Sequence, residues 1–205
     1  MQAKPHWESV YTTRPANKVS WYSRHLETSL ALIERFAPSR SAAIIDVGAG
    51  ESTLLDDLLL RGYTDLTALD VSHIALDACR QRLGDAAAHV HWLKADVTDA
   101  TLPHNRYDLW HDRAVFHFLT TPAQRHAYVV QAEQTLKPGG HIIIATFGPQ
   151  GPTQCSGLPT MRYDATELQR EFGDRFQLLE GFTKDHTTPA GPTQQFMWCV
   201  FEKLP

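Results

Sequence analysis

Residues 42–52 read AAIIDVGAGES, and this stretch decides the fold. Ala43–Val47 is an apolar run too short for a helix and stopped by glycine, which predicts a buried strand. Asp46 is followed by Gly48, Ala49 and Gly50 in a D-x-G-x-G arrangement, and the Ser-Thr-Leu-Leu-Asp-Asp-Leu-Leu segment after it reads as a helix opening. A strand, a glycine turn and a helix N-terminus make a nucleotide site. Glycine lets the backbone bend tightly and lets a ligand lie against bare N–H groups. Two features depart from the dinucleotide fingerprint. A carboxylate at Asp46 would repel a pyrophosphate and suits a ligand presenting an amine or sulfonium cation. Thr53 stands where that fingerprint has its third glycine.

Four further strands follow. Asp65–Asp70 (DLTALD) ends in a carboxylate, about 20 residues past the glycines, the distance at which an acid can accept from ribose hydroxyls. His89–Asp96 (HVHWLKAD) ends in another acid, Tyr107–Asp112 (YDLWHD) in a third. Leu136–Phe147 (LKPGGHIIIATF) reads as a helix end, a Pro-Gly-Gly turn and a fifth strand. Asp46, Asp70, Asp96 and Asp112 thus all sit at strand ends, where open α/β sheets bind ligands. Packing alone hardly explains four such carboxylates, although each could also cap the next turn or helix.

The DVGAG motif, the acid at Asp70, the Lys94–Asp96 KAD and the LKPGG segment together resemble the class I S-adenosylmethionine (SAM) dependent methyltransferases, over roughly Ala42 to Phe147. The resemblance implies an α/β fold with a Rossmann-like, doubly wound seven-stranded sheet of order 3-2-1-4-5-7-6. Its antiparallel last strand comes from a C-terminal hairpin. It implies SAM as cofactor and S-adenosylhomocysteine as product, with in-line SN2 transfer of the methyl group. By resemblance, Gly48, Ala49 and Gly50 contact the methionyl part, Asp70 the ribose, Val71 the adenine face, and Asp96 and Val97 flank adenine. Asp46 acts indirectly near the methionine amine, which the carbonyl of His111 or Asp112 faces.

Charge, composition and length narrow the partners. The chain has 205 residues, a net charge of −4 and 42% hydrophobic residues, values expected of a single soluble domain with one well-buried core. The absence of a basic stripe weighs against nucleic acid. No apolar run approaches a membrane span, and the polar N-terminus lacks a signal-peptide core. Cys79, Cys155 and Cys199 are odd in number and scattered, which fits reduced thiols in the cytoplasm. No spacing suggests a metal site.

The expected organisation is one domain, residues 1–205. Residues 1–40 form a helical lid or cap, 41–147 the nucleotide-binding core, and 148–205 a substrate-side loop, a helix and the closing hairpin. His6–Tyr11 and Tyr22–Phe36 read as helices flanking a polar loop at 12–20. Asp164-x-x-Glu167 is a capping box that opens a helix to about Phe172. Phe176–His186 and Gln194–Phe201 read as the hairpin. Trp21 and Tyr22 either cover the pocket as part of a lid or simply pack the second helix.

The segment YDLWHDRAVFHFLT puts Asp112, Arg113 and His117 at the sheet's carboxyl edge. His117 and Asp112 are the candidate catalytic residues. His117 serves either as a base, since histidine titrates near neutrality, or as a structural histidine. Arg113 either attracts a substrate carboxylate or pairs internally with Asp112 or another acid. The Asn-Pro-Pro-Tyr motif of base and glutamine amino methylation is absent. The leading function is methylation of a small-molecule nucleophile. The alternatives are a protein side-chain acceptor, as in a protein-lysine methyltransferase, and a SAM-binding module without catalysis.

Overall fold

The computed structural model describes residues 3–205. Helices α1 (Ala3–Thr13) and α2 (Glu27–Phe36) precede an alternating run of strands and helices: β1 (Ala43–Val47), α3 (Leu54–Leu60), β2 (Asp65–Asp70), α4 (His73–Leu83), β3 (Val90–Lys94), β4 (Tyr107–Arg113), α5 (Pro122–Thr135) and β5 (Leu136–Phe147). A two-stranded ladder, β6 (Gln154–Cys155) with β7 (Leu158–Pro159), leads to α6 (Ala165–Phe172) and to a long hairpin, β8 (Phe176–Thr187) and β9 (Thr193–Lys203). The main sheet has the order β3-β2-β1-β4-β5-β9-β8, parallel as far as β5 and antiparallel at both later pairings. With the small ladder set aside, this is the expected 3-2-1-4-5-7-6.

Both faces of the sheet are covered, which is why β1 and β5 read as near-continuous apolar runs rather than alternating ones. Ile44, Leu66 and Ile143 point into one core layer with Ile33 of α2 and Leu54 and Leu58 of α3. Ile45, Trp110, Ile142 and Ile144 point into the other with Tyr128 of α5 and Leu168 and Phe172 of α6. The capping box forms as expected: Asp164 accepts from the Glu167 N–H, and Glu167 reaches back to the Asp164 N–H. Among the described residues no helix is long and apolar enough to cross a membrane.

Several boundaries differ from expectation. The first helix extends to Thr13. The second begins at Glu27, five residues later than predicted, because residues 23–25 are drawn toward α3. Thr53 donates to the Arg24 carbonyl, and His25 meets Asp57 at 3.0 Å. The Pro-Gly-Gly segment lies within β5 as an irregularity, not ahead of it. Leu136 already pairs with Tyr107, and the register then shifts so that His141 lies opposite Leu109.

Strand β4 sorts its side chains by the two-residue period of a strand. His111 and Arg113 face the α2 side, where His111 meets Ser29 and Arg113 meets Trp21. Asp112 faces α5, where its carboxylate accepts from the Tyr128 hydroxyl at 2.7 Å and from the N–H groups of Val115 and Phe116 at 2.8 and 3.0 Å. Tyr128 in turn accepts from the Trp110 indole N–H at 2.8 Å. This chain holds the turn after β4, where Ala114 takes the left-handed conformation (φ 79°). Tyr128→Phe should leave Trp110 and Asp112 each short of a partner and lower stability by about 1–3 kcal/mol. Denaturant unfolding checks this; an unchanged midpoint would mean that the chain is replaceable by water.

Candidate cofactor and acceptor site

The turn after β1 is built by glycine for close packing. Gly48 and Gly50 have φ of 68° and 53°, a region in which side chains with a Cβ are strained. The N–H groups of Gly48 and Ala49 both donate to the Leu69 carbonyl of β2, at 2.7 and 3.1 Å. A Cβ on Gly48 would lie 2.0 Å from Val115 Cγ2, and one on Gly50 would lie 2.6 Å from the Tyr11 hydroxyl. The glycines therefore admit protein neighbours from the β4 turn and from α1 as well as leaving backbone accessible.

Beside this turn lies a cavity of about 340 Å³, within the range of small-ligand sites. Asp46, Gly48, Ala49, Gly50, Asp70, Val71, Asp96, Val97, His111 and Trp21 all line it, as does His117; Asp112 does not. The acids at the strand ends have separate partners. Asp70 is 5% exposed and accepts from the N–H groups of Gly50 and Ser72, both at 2.8 Å. Burial pushes its carboxyl up to about 6 against the pull of those two N–H groups. Asp96 accepts from the backbone and hydroxyl of Thr98. Asp46 lies opposite His111 in the β1–β4 register. Oδ1 accepts from His111 Nδ1 at 2.7 Å, while the buried Oδ2 has no partner among the described residues. The other ring nitrogen of His111 meets the Ser29 hydroxyl at 2.9 Å, so this side chain is committed to Asp46 and α2.

A roof of aromatic rings covers the cavity. Trp7 sits edge-on to Trp21 and Phe118, with ring centroids 5.8 and 5.1 Å apart, and Tyr11 lies 6.1 Å from Trp7 and 6.4 Å from Trp21. Trp7 and Tyr11 are four residues apart on α1 and so share one face. Glu8, between them, fastens the helix to the N-terminus of α4. It accepts from the Ser72 hydroxyl and the His73 N–H at 2.7 and 3.2 Å, and a carboxylate there suits the helix dipole. Partial burial works against the charge, yet these hydrogen bonds hold the Glu8 carboxyl down at about 2. Trp21 serves both open readings, since it lines the cavity and also packs on the core under α2.

The far end of the cavity is apolar, lined by Phe118, Leu119, Phe147, Leu158, Pro159 and Phe196. His117 lies there with no exposure to solvent, its ring stacked on Phe147 at 4.3 Å. Its Nδ1 accepts from the Phe147 N–H at 3.1 Å. The neutral ring therefore carries its proton on Nε2, which has no partner among the described residues. Burial, with the Arg113 charge nearby, pushes its pKa down to about 3. A ring in that state donates and does not accept, so the geometry goes against His117 as a general base. Asp112 is likewise placed away from the cavity, because the strand period turns it toward α5 and its oxygens are taken by Tyr128 and the following turn. Arg113 does not pair with Asp112, which is on the opposite face. Cys155 lines the cavity with its thiol pushed up by burial, which leaves it a weak nucleophile.

The sequence offers the HWESVY segment, residues 6–11, as a pattern with an aromatic near the cofactor, but gives no sign of the contacts made by Glu8, Phe147 and Phe196. The four-residue spacing of Trp7 and Tyr11 was a usable signal. The other contacts join segments that only the fold brings together. Gly48→Ala should lower the melting temperature measurably, because the new methyl meets Val115 in a conformation already strained for alanine. Adding Val115→Ala should recover part of the loss. Additive losses in the double variant, measured by thermal unfolding, would rule out this contact as the cause.

Comparison with known proteins agrees with this geometry. A family described as a methyltransferase domain matches residues 44–140. The chain is 24% identical over 138 residues to the mouse (Mus musculus) eEF1A lysine and N-terminal methyltransferase, covering 67% of this chain and 19% of that protein. It is 35% identical over 107 residues to the malonyl-[acyl-carrier protein] O-methyltransferase of Anoxybacillus flavithermus, covering 51% and 39%. The chain thus spans well under half the length of either relative. Among solved structures, the 1,6-didemethyltoxoflavin-N1-methyltransferase of Burkholderia thailandensis, crystallised with its substrate and S-adenosylhomocysteine, superposes with a TM-score of 0.73 at 18% identity, over 98% of this chain and 87% of that one. Sheet order, glycine turn and matched domain agree: residues 44–140 match a methyltransferase domain, and the chain has the fold of solved SAM-dependent methyltransferases.

Proposed function

We propose that the chain transfers the methyl group of SAM to a small-molecule nucleophile. The observation that carries this reading is the roof. Trp7, Tyr11, Trp21 and Phe118 pack over the cavity, and Leu158 and Pro159 of the small ladder close its far side. An acceptor taken in there is enclosed by this chain's own side chains. The residues present fit the cofactor. Asp46 Oδ2 is a buried carboxylate oxygen without a partner, which suits a cationic ligand. Asp70 stands where ribose hydroxyls can donate to it, with Val71, Asp96 and Val97 along the adenine side.

SAM supplies an electrophilic methyl group on a sulfonium. The chain's residues hold the reactants in line and exclude water, which is the main demand of a displacement that disperses charge. Phe147, Phe196, Phe118 and Leu158 supply the apolar surround. With His117 committed as a donor, the reading assigns no side-chain base, and the acceptor's proton leaves to solvent or departs before transfer.

Supplying SAM with a tritiated methyl group to a cell extract together with the protein should place label in the small-molecule fraction. Label confined to protein would overturn this reading in favour of a protein acceptor, the alternative supported by the likeness to the mouse lysine and N-terminal methyltransferase. Cofactor binding without any transfer would leave the non-catalytic module.

Asp70 gives the cofactor assignment its own test. Ribose donors require the ionised carboxylate, and burial holds this carboxyl at about 6. Below that pH a proton must leave on binding, so affinity falls as pH falls. Titration calorimetry with S-adenosylhomocysteine should show constant affinity above about pH 7 and a loss approaching tenfold per unit below about pH 6. Asp70→Asn should bind more weakly by about 1.5–3 kcal/mol at high pH and show no such slope. A wild-type profile that is flat throughout would make Asp70 a turn cap alone.

A further inference from the structure

Arg113 is a cation with no ion-pair partner within 4.0 Å among the described residues. It lies at the end of β4, deep enough that burial pushes its pKa down to about 10 although Asp46 works in the other direction. Its one hydrogen bond among the described residues runs from Nη1 to the Trp21 carbonyl at 2.9 Å, and its guanidinium lies over the Phe196 ring, 5.3 Å from the centroid. No carboxylate comes within ion-pair distance of it among the described residues; Asp46 acts on it from farther off, with one oxygen given to His111 and Oδ2 unpartnered. The side chain is partly buried, and holding its charge there without an ion-pair partner is unfavourable, a cost that an anion would relieve. The guanidinium borders the cofactor cavity and also a second cavity of about 480 Å³ between α2 and the β8–β9 hairpin. That second wall carries Arg24, Lys184, His25 and His186 against Glu27 and Asp185, and Lys184 is bonded to Thr28. Near Arg113 stands His117, whose buried Nε2–H has no partner among the described residues.

We propose that the acceptor end of the cavity recognises a carboxylate: the guanidinium of Arg113 and the Nε2–H of His117 take the anionic oxygens of an acceptor whose body is aromatic or apolar. The inference rests on the small-molecule reading above and names its substrate class. Phe147 stacks on the His117 ring and Phe196 lies under the Arg113 guanidinium, so both donors sit in an aromatic surround that fits an acid with an apolar body. The same cation opposes a lysine ammonium entering the cavity. It also explains why β4 ends in Arg on the cavity side, opposite the carboxylate that anchors the turn. A planar guanidinium binds a carboxylate with two parallel hydrogen bonds, which a lysine cannot copy.

The test uses wild-type protein saturated with S-adenosylhomocysteine and two pairs of probes, indole-3-acetate with indole-3-acetamide and benzoate with benzamide. Each acid should bind at least tenfold more tightly than its amide. Arg113→Gln should erase that difference while S-adenosylhomocysteine still binds within about threefold of wild type. Equal affinity within both pairs, or no binding by either acid, overturns the inference, and this arm needs no variant. Weaker S-adenosylhomocysteine binding in Arg113→Gln, with 5′-methylthioadenosine unaffected, also overturns it, because the guanidinium would then hold the cofactor's own carboxylate. If wild type fails to bind S-adenosylhomocysteine at all, the functional reading itself falls; a cofactor that binds while the probe pairs do not differ removes this inference alone.

Discussion

The carboxylate of Asp70 ties the site together. One oxygen takes the Gly50 N–H from the turn after β1, and the other takes the Ser72 N–H from the turn after β2. Two neighbouring parallel strands deliver their loops to the same edge of the sheet, and a buried acid is tolerable there because those loops offer it donors. The same group faces the cavity. Cap and ligand-facing acid, which look like alternatives, are thus compatible at Asp70: backbone N–H groups satisfy some of its lone pairs, and a carboxylate has others to give.

The aromatic roof depends on that edge. Glu8 caps α4 directly beyond Ser72, so α1 is fastened to the loop that Asp70 organises. Tyr11 fits over the turn because Gly50 has no side chain to meet its hydroxyl. Loop, acid and roof therefore form one unit, in which a change at any member is transmitted through short, specific contacts.

The acceptor end follows a different logic. Its polar groups are few: the His117 Nε2–H has no partner among the described residues, and Arg113 makes a single side-chain hydrogen bond. His117 is held in one tautomer by a backbone N–H, Asp112 is turned away by the strand period, and Arg113 faces the cavity beside an aromatic wall.

The sequence by itself determined the sheet and the cofactor side. Ala43–Val47 and Asp65–Asp70 are recognisable as buried strands from their own composition, the glycine turn from its residues, and the C-terminal helix from its capping box. These are local signals, set by propensities that act within a few residues. The late start of α2 was not legible, because contacts with α3 overrode a helical pattern. Nor were the roles of the β4 residues. Asp112 and His117 were attractive as chemistry, but which face a side chain takes, which tautomer a ring holds and whether Arg113 finds an acid depend on segments far away in the chain. Only the tertiary structure decided them, since burial and the meeting of distant backbone groups set the charge and direction of each side chain.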